Sequence, residues 1–249
     1  MSAHDTSWSR WRTVALWTGA YLYGSAPLVY WLGKRAGVDL RQAGSGNVGA
    51  TNLLQHGVRV GNALALAGWI FDASKGAAPS ALAVTLGAPP TATAIAGALG
   101  VAGQCWPVTL RFQGGRGISA FVGAAALMDP VAWAWSLLPM IAGALWRVVG
   151  NRQALADTNN YARPDRSRSV PLGCFIATVV FPLVSISRRM LAGPREHSPK
   201  VAPIAPLALS AVILLRRLTA SLPDDASAGP RERPSALLYR LLYDRNTRD

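Results

Sequence analysis

The chain has 249 residues, 51% hydrophobic and 15% charged, with 25 Lys+Arg against 12 Asp+Glu and a net charge of +13. Ordinary soluble domains carry about 25% charged residues, so this composition excludes one and indicates a single integral membrane domain. In a soluble chain such basicity would point to nucleic acid; in a membrane chain, Arg-rich loops facing an anionic leaflet are the simpler account, and no nucleic-acid partner is expected. Cys105 and Cys174 stand isolated within apolar segments, so neither a disulfide framework nor a metal site is expected.

Segment one runs over Thr13–Leu32, and its 20 residues suffice to span the hydrocarbon core of a bilayer. It is too long for a cleavable signal and leads straight into Lys34-Arg35. The first polar gap follows and holds Gly44-Ser45-Gly46-Asn47-Val48-Gly49-Ala50-Thr51-Asn52, with Arg41 ahead and Gln55, His56 and Arg59 behind. Gly44, Gly46 and Gly49 permit a tight backbone whose N–H groups turn inward, and Ser45, Asn47, Thr51 and Asn52 add short polar side chains. Such a loop suits a phosphate. It is no Walker A loop, because no Gly-Lys-Ser/Thr follows, and no dinucleotide fingerprint, because no strand precedes it. Taken alone, it reads equally as a flexible glycine-rich loop.

Segment two spans Asn62–Leu86 and carries Asp72 and Lys75, three apart and able to neutralise each other on one helix face. A charged pair inside a span is either a functional site or a lock on helix packing. Segment three, Thr91–Trp106, places Gly97, Gly100 and Gly103 on one face, which favours close helix contact. A second polar gap then carries Gly114-Gly115-Arg116-Gly117, in which a free backbone and a fixed cation again suit an anion, though taken alone it reads more simply as a tight interhelical turn with one positive-inside arginine. Segments four (Ile118–Met128), five (Val131–Val149), six (Val170–Ile186) and seven (Val201–Leu215) follow, with a polar loop at Asn151–Ser169 and a charged linker at Arg188–Lys200. The tail from Ser221 reads as mostly disordered, with Ala236–Tyr243 apolar enough to lie on a membrane surface.

Seven crossings put the ends on opposite sides. With the N-terminus outside, the inner gaps and tail hold 18 Lys+Arg and the outer parts 6, which sets both glycine loops and the C-terminus in the cytoplasm. Segments four and seven are short, so five crossings is the alternative count. The expected organisation is an N-terminal segment 1–12, an all-α transmembrane domain 13–217 and a basic tail 218–249.

Three motifs in register resemble one family, the bacterial acyl-phosphate:glycerol-3-phosphate acyltransferases, or PlsY family. That family's first motif looks like Gly-Ser-Gly-Asn-Pro/Ile-Gly-Ala-Thr-Asn, which is Gly44–Asn52 here with Val48 at the variable place. Its Asp-x-x-Lys-Gly matches Asp72–Gly76, and its Gly-His-x-Phe-Pro…Phe-x-Gly-Gly-Lys-Gly matches Gly103–Pro107 and Phe112–Gly117. The resemblance covers about Val14 to Arg217. It implies a seven-helix bundle in the bacterial inner membrane with a cytoplasm-facing site. It implies acyl transfer from acyl-phosphate to the 1-hydroxyl of sn-glycerol 3-phosphate, giving lysophosphatidic acid. Because acyl-phosphate is already activated, no nucleotide, coenzyme A, metal or other cofactor is expected.

On this reading Ser45, Asn47 and Arg116 serve catalysis. Gly44, Gly46, Gly49, Thr51, Asn52, Gly114, Gly115, Arg41 and Arg217 bind substrate phosphate, and Asp72 and Lys75 support the site. The chain departs from the family pattern at Gln55 (Arg in the family), Gln104 (His), Arg116 (Lys), Arg217 (His) and Ala220 (Asn). With the family His gone, a phosphate oxygen of the substrates can take the hydroxyl proton. The same departures motivate the alternatives: a membrane homologue that binds phosphorylated lipid precursors or a partner without turnover, or an enzyme with a shifted donor or acceptor.

Overall fold

The computed structural model describes residues 8–43, 46–56, 61–149, 169–192, 202–219 and 234–244. Among the described residues are ten α-helices, one short 3-10 turn and no strand. Helices α1 (Arg10–Gly24) and α2 (Leu28–Arg35) divide what the sequence reads as one span. The break falls at Ser25-Ala26-Pro27 because Pro27 has no N–H to give and its ring disfavours helical geometry at Ala26. The Ser25 hydroxyl closes α1 on the Tyr21 carbonyl at 2.9 Å. This corner opens one side of the site described below.

Helix α3 (Ala50–His56) follows the first glycine loop, and α4 (Gly61–Thr85) runs unbroken through Asp72 and Lys75. Helix α5 (Pro90–Cys105) begins with a proline in its first turn, where the missing N–H costs nothing, and the 3-10 turn Val108–Leu110 follows it. Helix α6 (Ile118–Met128) coincides with segment four, and α7 (Pro130–Val149) with segment five to within a residue. Helix α8 (Ser169–Ala192) runs past the expected end at Ile186. The reason is Asp129, buried where α6 meets α7. It accepts the Ala132 N–H at 3.0 Å, the Ser185 hydroxyl at 2.8 Å and the Arg188 guanidinium at 2.5 Å. Arg188, read as a linker charge, is thus helical and neutralised. Residues 193–200 of that linker and nearly all of the expected loop 151–169 lie outside the described residues.

Helix α9 (Ala205–Thr219) starts later than segment seven and carries Arg216 and Arg217 in its last turn. Helix α10 (Pro234–Tyr243) lies in the expected tail and packs against α8 and α9. The stretch expected to rest on a membrane surface is therefore also an intramolecular contact, with Leu237 and Leu238 left exposed.

Helix α5 is the centre of the bundle. A β-carbon on Gly100 would collide with the Lys75 carbonyl, one on Gly103 with the Tyr21 carbonyl and one on Gly97 with the Ser80 hydroxyl. The glycine stripe therefore lets α1 and α4 close on α5 at backbone distance. Behind it, α5, α6, α8 and α9 share one apolar core, in which Phe121 and Phe181 meet edge-on with ring centres 5.5 Å apart. Large apolar side chains face outward instead, among them Trp69, Ile70, Leu82, Trp135, Leu138 and Trp146. Among the described residues, the helical stretches Pro90–Leu110, Pro130–Val148 and Ser169–Leu191 are each long and apolar enough to cross a membrane.

Candidate active site

A narrow cleft lies under the α1–α2 corner. Ser25 and Tyr30 wall one side, Val48 of the first glycine loop another, and Asp72, Lys75 and Gln104 the interior, while Gly114 and Gly115 of the second loop close it. The walls come from stretches far apart in the sequence, and helix packing brings them together.

The first loop is held by Asn52. This residue is 2% exposed, and its Nδ2 donates to the carbonyls of Leu40, Ala43 and Asn47 at 3.0, 2.9 and 3.0 Å. Its amide nitrogen is therefore committed to pinning the loop. Gly46 has φ +65°, and its N–H bonds the Ala43 carbonyl at 3.1 Å, so a glycine suits this turn. Thr51 is exposed on α3. Gly44 and Ser45, together with the side chains of Gln55 and His56, lie outside the described residues.

Arg41 does not line the cleft. Its guanidinium pairs with Asp39 at 3.3 Å, donates to the Tyr30 hydroxyl at 2.5 Å and lies 4.7 Å from the Tyr30 ring centre. Its place is thus behind Tyr30, a wall residue that sequence reasoning passed over. Lys34 completes the cluster, 2.9 Å from Asp39. Hydrogen bonds from Arg41 and then from Lys34 hold the Asp39 carboxyl well below the usual carboxylate range, and the same contact raises Arg41 above its ordinary value.

Asp72 and Lys75 are 1% and 3% exposed and pair at 2.8 Å. The Lys75 ammonium also donates to Gln104 Oε1 and lies 5.2 Å from the Phe71 ring centre. One turn of α4 thus places a nearly neutral charge pair at the cleft, and Gln104, at the position of the family His, joins it as an acceptor. The pair is both a packing feature and part of the cleft wall.

The second loop is tightly fixed. A β-carbon on Gly114 would collide with Pro107 and with the Gln104 carbonyl, so only glycine fits there. The Gly115 N–H bonds the Gln104 carbonyl at 3.0 Å. A β-carbon on Gly115 would come 3.3 Å from the Val48 carbonyl and 3.4 Å from Asn47 Oδ1, so the two glycine loops abut. From α9, Arg216 donates through Nε to the Gly115 carbonyl at 2.9 Å and through Nη2 to the Gly114 carbonyl at 2.7 Å. Arg217, expected to bind phosphate, instead donates to the carbonyls of Leu241, Leu242 and Pro171 at 2.7, 3.2 and 2.8 Å. Its phase on α9 turns it toward α8 and α10, and Arg216 takes the place beside the loop. Arg116 pairs through Nε with Asp244 at 2.5 Å, a partner for which the sequence offered no signal. Among the described residues no group of three or more His, Cys, Asp or Glu side chains is arranged to hold a metal.

The fold and the cleft together define a class: a polytopic helical membrane protein with an internal polar site assembled from separate glycine loops. The family model described as glycerol-3-phosphate acyltransferase matches residues 14–158. Glycerol-3-phosphate acyltransferase 4 of Dehalococcoides mccartyi (strain CBDB1) is 33% identical over 229 residues, covering 92% of this chain and 87% of that one. The glycerol-3-phosphate acyltransferase of Rubrobacter xylanophilus is 39% identical over 163 residues, covering 65% of this chain and 70% of that one. A crystal structure of PlsY (YgiH), an integral membrane glycerol 3-phosphate acyltransferase in its glycerol 3-phosphate form, superposes with a TM-score of 0.63 at 27% identity, covering 82% of this chain and 88% of that one. The chain belongs to the glycerol-3-phosphate acyltransferase (PlsY) family.

Proposed function

We propose that this protein is a glycerol-3-phosphate acyltransferase that takes its acyl group from a fatty acyl-phosphate and releases lysophosphatidic acid and phosphate. Family membership supports the acceptor and the reaction class. The observation that carries the reading is convergence: Val48, the Asp72–Lys75 pair, Gln104, Gly114 and Gly115, from three motifs far apart in sequence, wall one cleft. Both substrates carry phosphate, and two glycine loops that touch each other provide adjacent seats for them.

In this scheme the N–H groups of Gly44 and Gly49, with Ser45 and Asn47, hold one phosphate, and Gly46 makes the turn between them. Gly114 and Gly115 shape the second seat, with Arg116 neutralising charge that develops as the phosphate leaves. The 1-hydroxyl oxygen attacks the acyl carbon, its proton passes to a phosphate oxygen, and the acyl–phosphate C–O bond breaks. Arg41 acts through Tyr30, Asn52 fixes the loop, and Asp72 and Lys75 keep the interior of the cleft close to neutral. Acyl-phosphate is activated by itself, so the scheme uses no cofactor.

The topology that goes with it has seven crossings, the N-terminus outside and the cleft facing the cytoplasm of a bacterial inner membrane. The acyltransferase unit is residues 13–217, followed by the tail 218–249. The charge asymmetry supports this orientation, and Arg188, which counts against it, is neutralised by Asp129.

The test is transfer by the purified full chain supplied with palmitoyl-phosphate and glycerol 3-phosphate, following inorganic phosphate and lysophosphatidic acid together. Ser45→Ala and Gly46→Leu are expected to abolish both products. Normal rates in both variants would overturn the assignment of the first loop to phosphate.

A further inference from the structure

We propose that Asp244, at the end of α10, competes with a substrate phosphate group for Arg116 and thereby sets the KM of the reaction. The inference rests on the reading of Arg116 as a phosphate-handling residue.

Arg116 directly follows the Gly114-Gly115 wall, yet its guanidinium is not part of the cleft lining. It is turned onto Asp244, 2.5 Å from Nε to Oδ2, with side chains 10% and 18% exposed. The other carboxylate oxygen, Oδ1, is buried and has no hydrogen-bond partner among the described residues. A carboxylate in water uses both oxygens; among the described residues this one uses only Oδ2. It sits where it does because Arg217 holds the Leu241 and Leu242 carbonyls in the last turn of α10. The Asp244 backbone then turns back at φ +55°, with its N–H on the Arg240 carbonyl at 2.8 Å. Helix α10 thus carries a tethered anion to the cation beside the second glycine loop, across 128 residues of sequence.

A phosphate group presents more charge and more oxygens than this carboxylate, and the planar guanidinium fork favours bidentate contact with it. Phosphate therefore takes Arg116 from Asp244 on binding. Each binding event must first break the Arg116–Asp244 pair, and the apparent affinity falls by the strength of that pair. The tail acts as a built-in competitor that keeps the cation masked at low substrate concentration.

The experiment is steady-state transfer by full-length Asp244→Asn, varying glycerol 3-phosphate and acyl-phosphate in turn at saturation of the other. Asparagine is well suited to φ +55°, and Asp244→Gly, equally suited, is the second variant in case the first is poorly folded. The expected result is a KM lowered about five- to tenfold for one substrate with kcat unchanged; the substrate affected is the one whose phosphate competes. Asp244→Glu, which keeps the charge, should restore a KM near that of the wild type. Inorganic phosphate, as a simple inhibitor, should bind more tightly to both neutral variants by a similar factor. Unchanged KM values and phosphate inhibition in both neutral variants would overturn the inference, and so would a fall in kcat at constant KM. Arg116→Ala is run beside them. If transfer survives that change intact, it is the phosphate role of Arg116 that fails; if it collapses while the Asp244 variants match wild type, only the competition fails.

Discussion

Replacing Arg216 with lysine tests the second glycine loop most directly. Arg216 is 6% exposed and bonds two consecutive carbonyls, Gly114 at 2.7 Å and Gly115 at 2.9 Å, from two nitrogens of one planar group. A lysine ammonium keeps the charge but has no fork, so it reaches one carbonyl and leaves the other without its partner. A hydrogen bond to a charged group contributes roughly 1.5–3 kcal/mol, so losing one costs about 2 kcal/mol. For a chain of this size that is a fall of about 4–8 °C in Tm, read by thermal unfolding in detergent. Activity should suffer more than stability. Gly115 abuts the Val48 carbonyl and Asn47, so a loop that relaxes shifts the contact between the two glycine loops. We expect kcat/KM for transfer to fall by about tenfold or more, which corresponds to about 1.4 kcal/mol of lost transition-state binding. A lysine variant with wild-type Tm and wild-type kcat/KM would refute the reasoning, because it would mean that the paired carbonyl contacts do not set the position of the loop.

Two further predictions concern stability. The Asp39 carboxyl has a folded-state pKa below its ordinary value near 3.8, so its stabilisation is complete above that value and is lost as pH falls towards the lower folded value. Wild-type unfolding measured between pH 7 and pH 3 should therefore show a loss below about pH 4 that Asp39→Asn lacks, with the variant less stable at neutral pH; identical pH slopes would contradict the assignment. At the bundle centre, Gly100→Ala places a methyl group against the Lys75 carbonyl and should prevent α4 and α5 from closing, with poor yield of folded protein. Gly19→Ala meets nothing within 4 Å on α1 and should instead add about 0.5–1 kcal/mol through helix propensity. If both alanine variants fold equally well, the backbone-distance packing of α5 is wrong.

How much of this was legible in the sequence depends on the range of the interaction. Segment four and α6 coincide because an apolar run bounded by Gly117 and by Asp129-Pro130 carries its own punctuation. The break between α1 and α2 is equally local, because Pro27 lies inside the first apolar run, but the length of that run alone does not register it. The choice between Arg216 and Arg217 needed helix phase. Leu209 and Ile213 are buried at i and i+4, and Arg216 continues that stripe at i+7, which points it to the interior beside the glycine loop. Arg217 is buried as well, on the neighbouring flank, because α10 covers it, and nothing local to α9 announces α10. The motif Gly44–Asn52 poses a different difficulty. A polar side chain in a loop of donors looks like a ligand, but Asn52 is the residue whose amide satisfies carbonyls the tight turn would otherwise leave unpaired, and a motif does not distinguish the two roles. Arg116 shows the limit. Gly-Gly-Arg-Gly announces a cation on a tight turn, whereas the partner of that cation comes from the far end of the chain. The state of a cation is a property of every anion the fold brings to it, so residue type and spacing identify the cation, and only the packing of α10 supplies the carboxylate it meets.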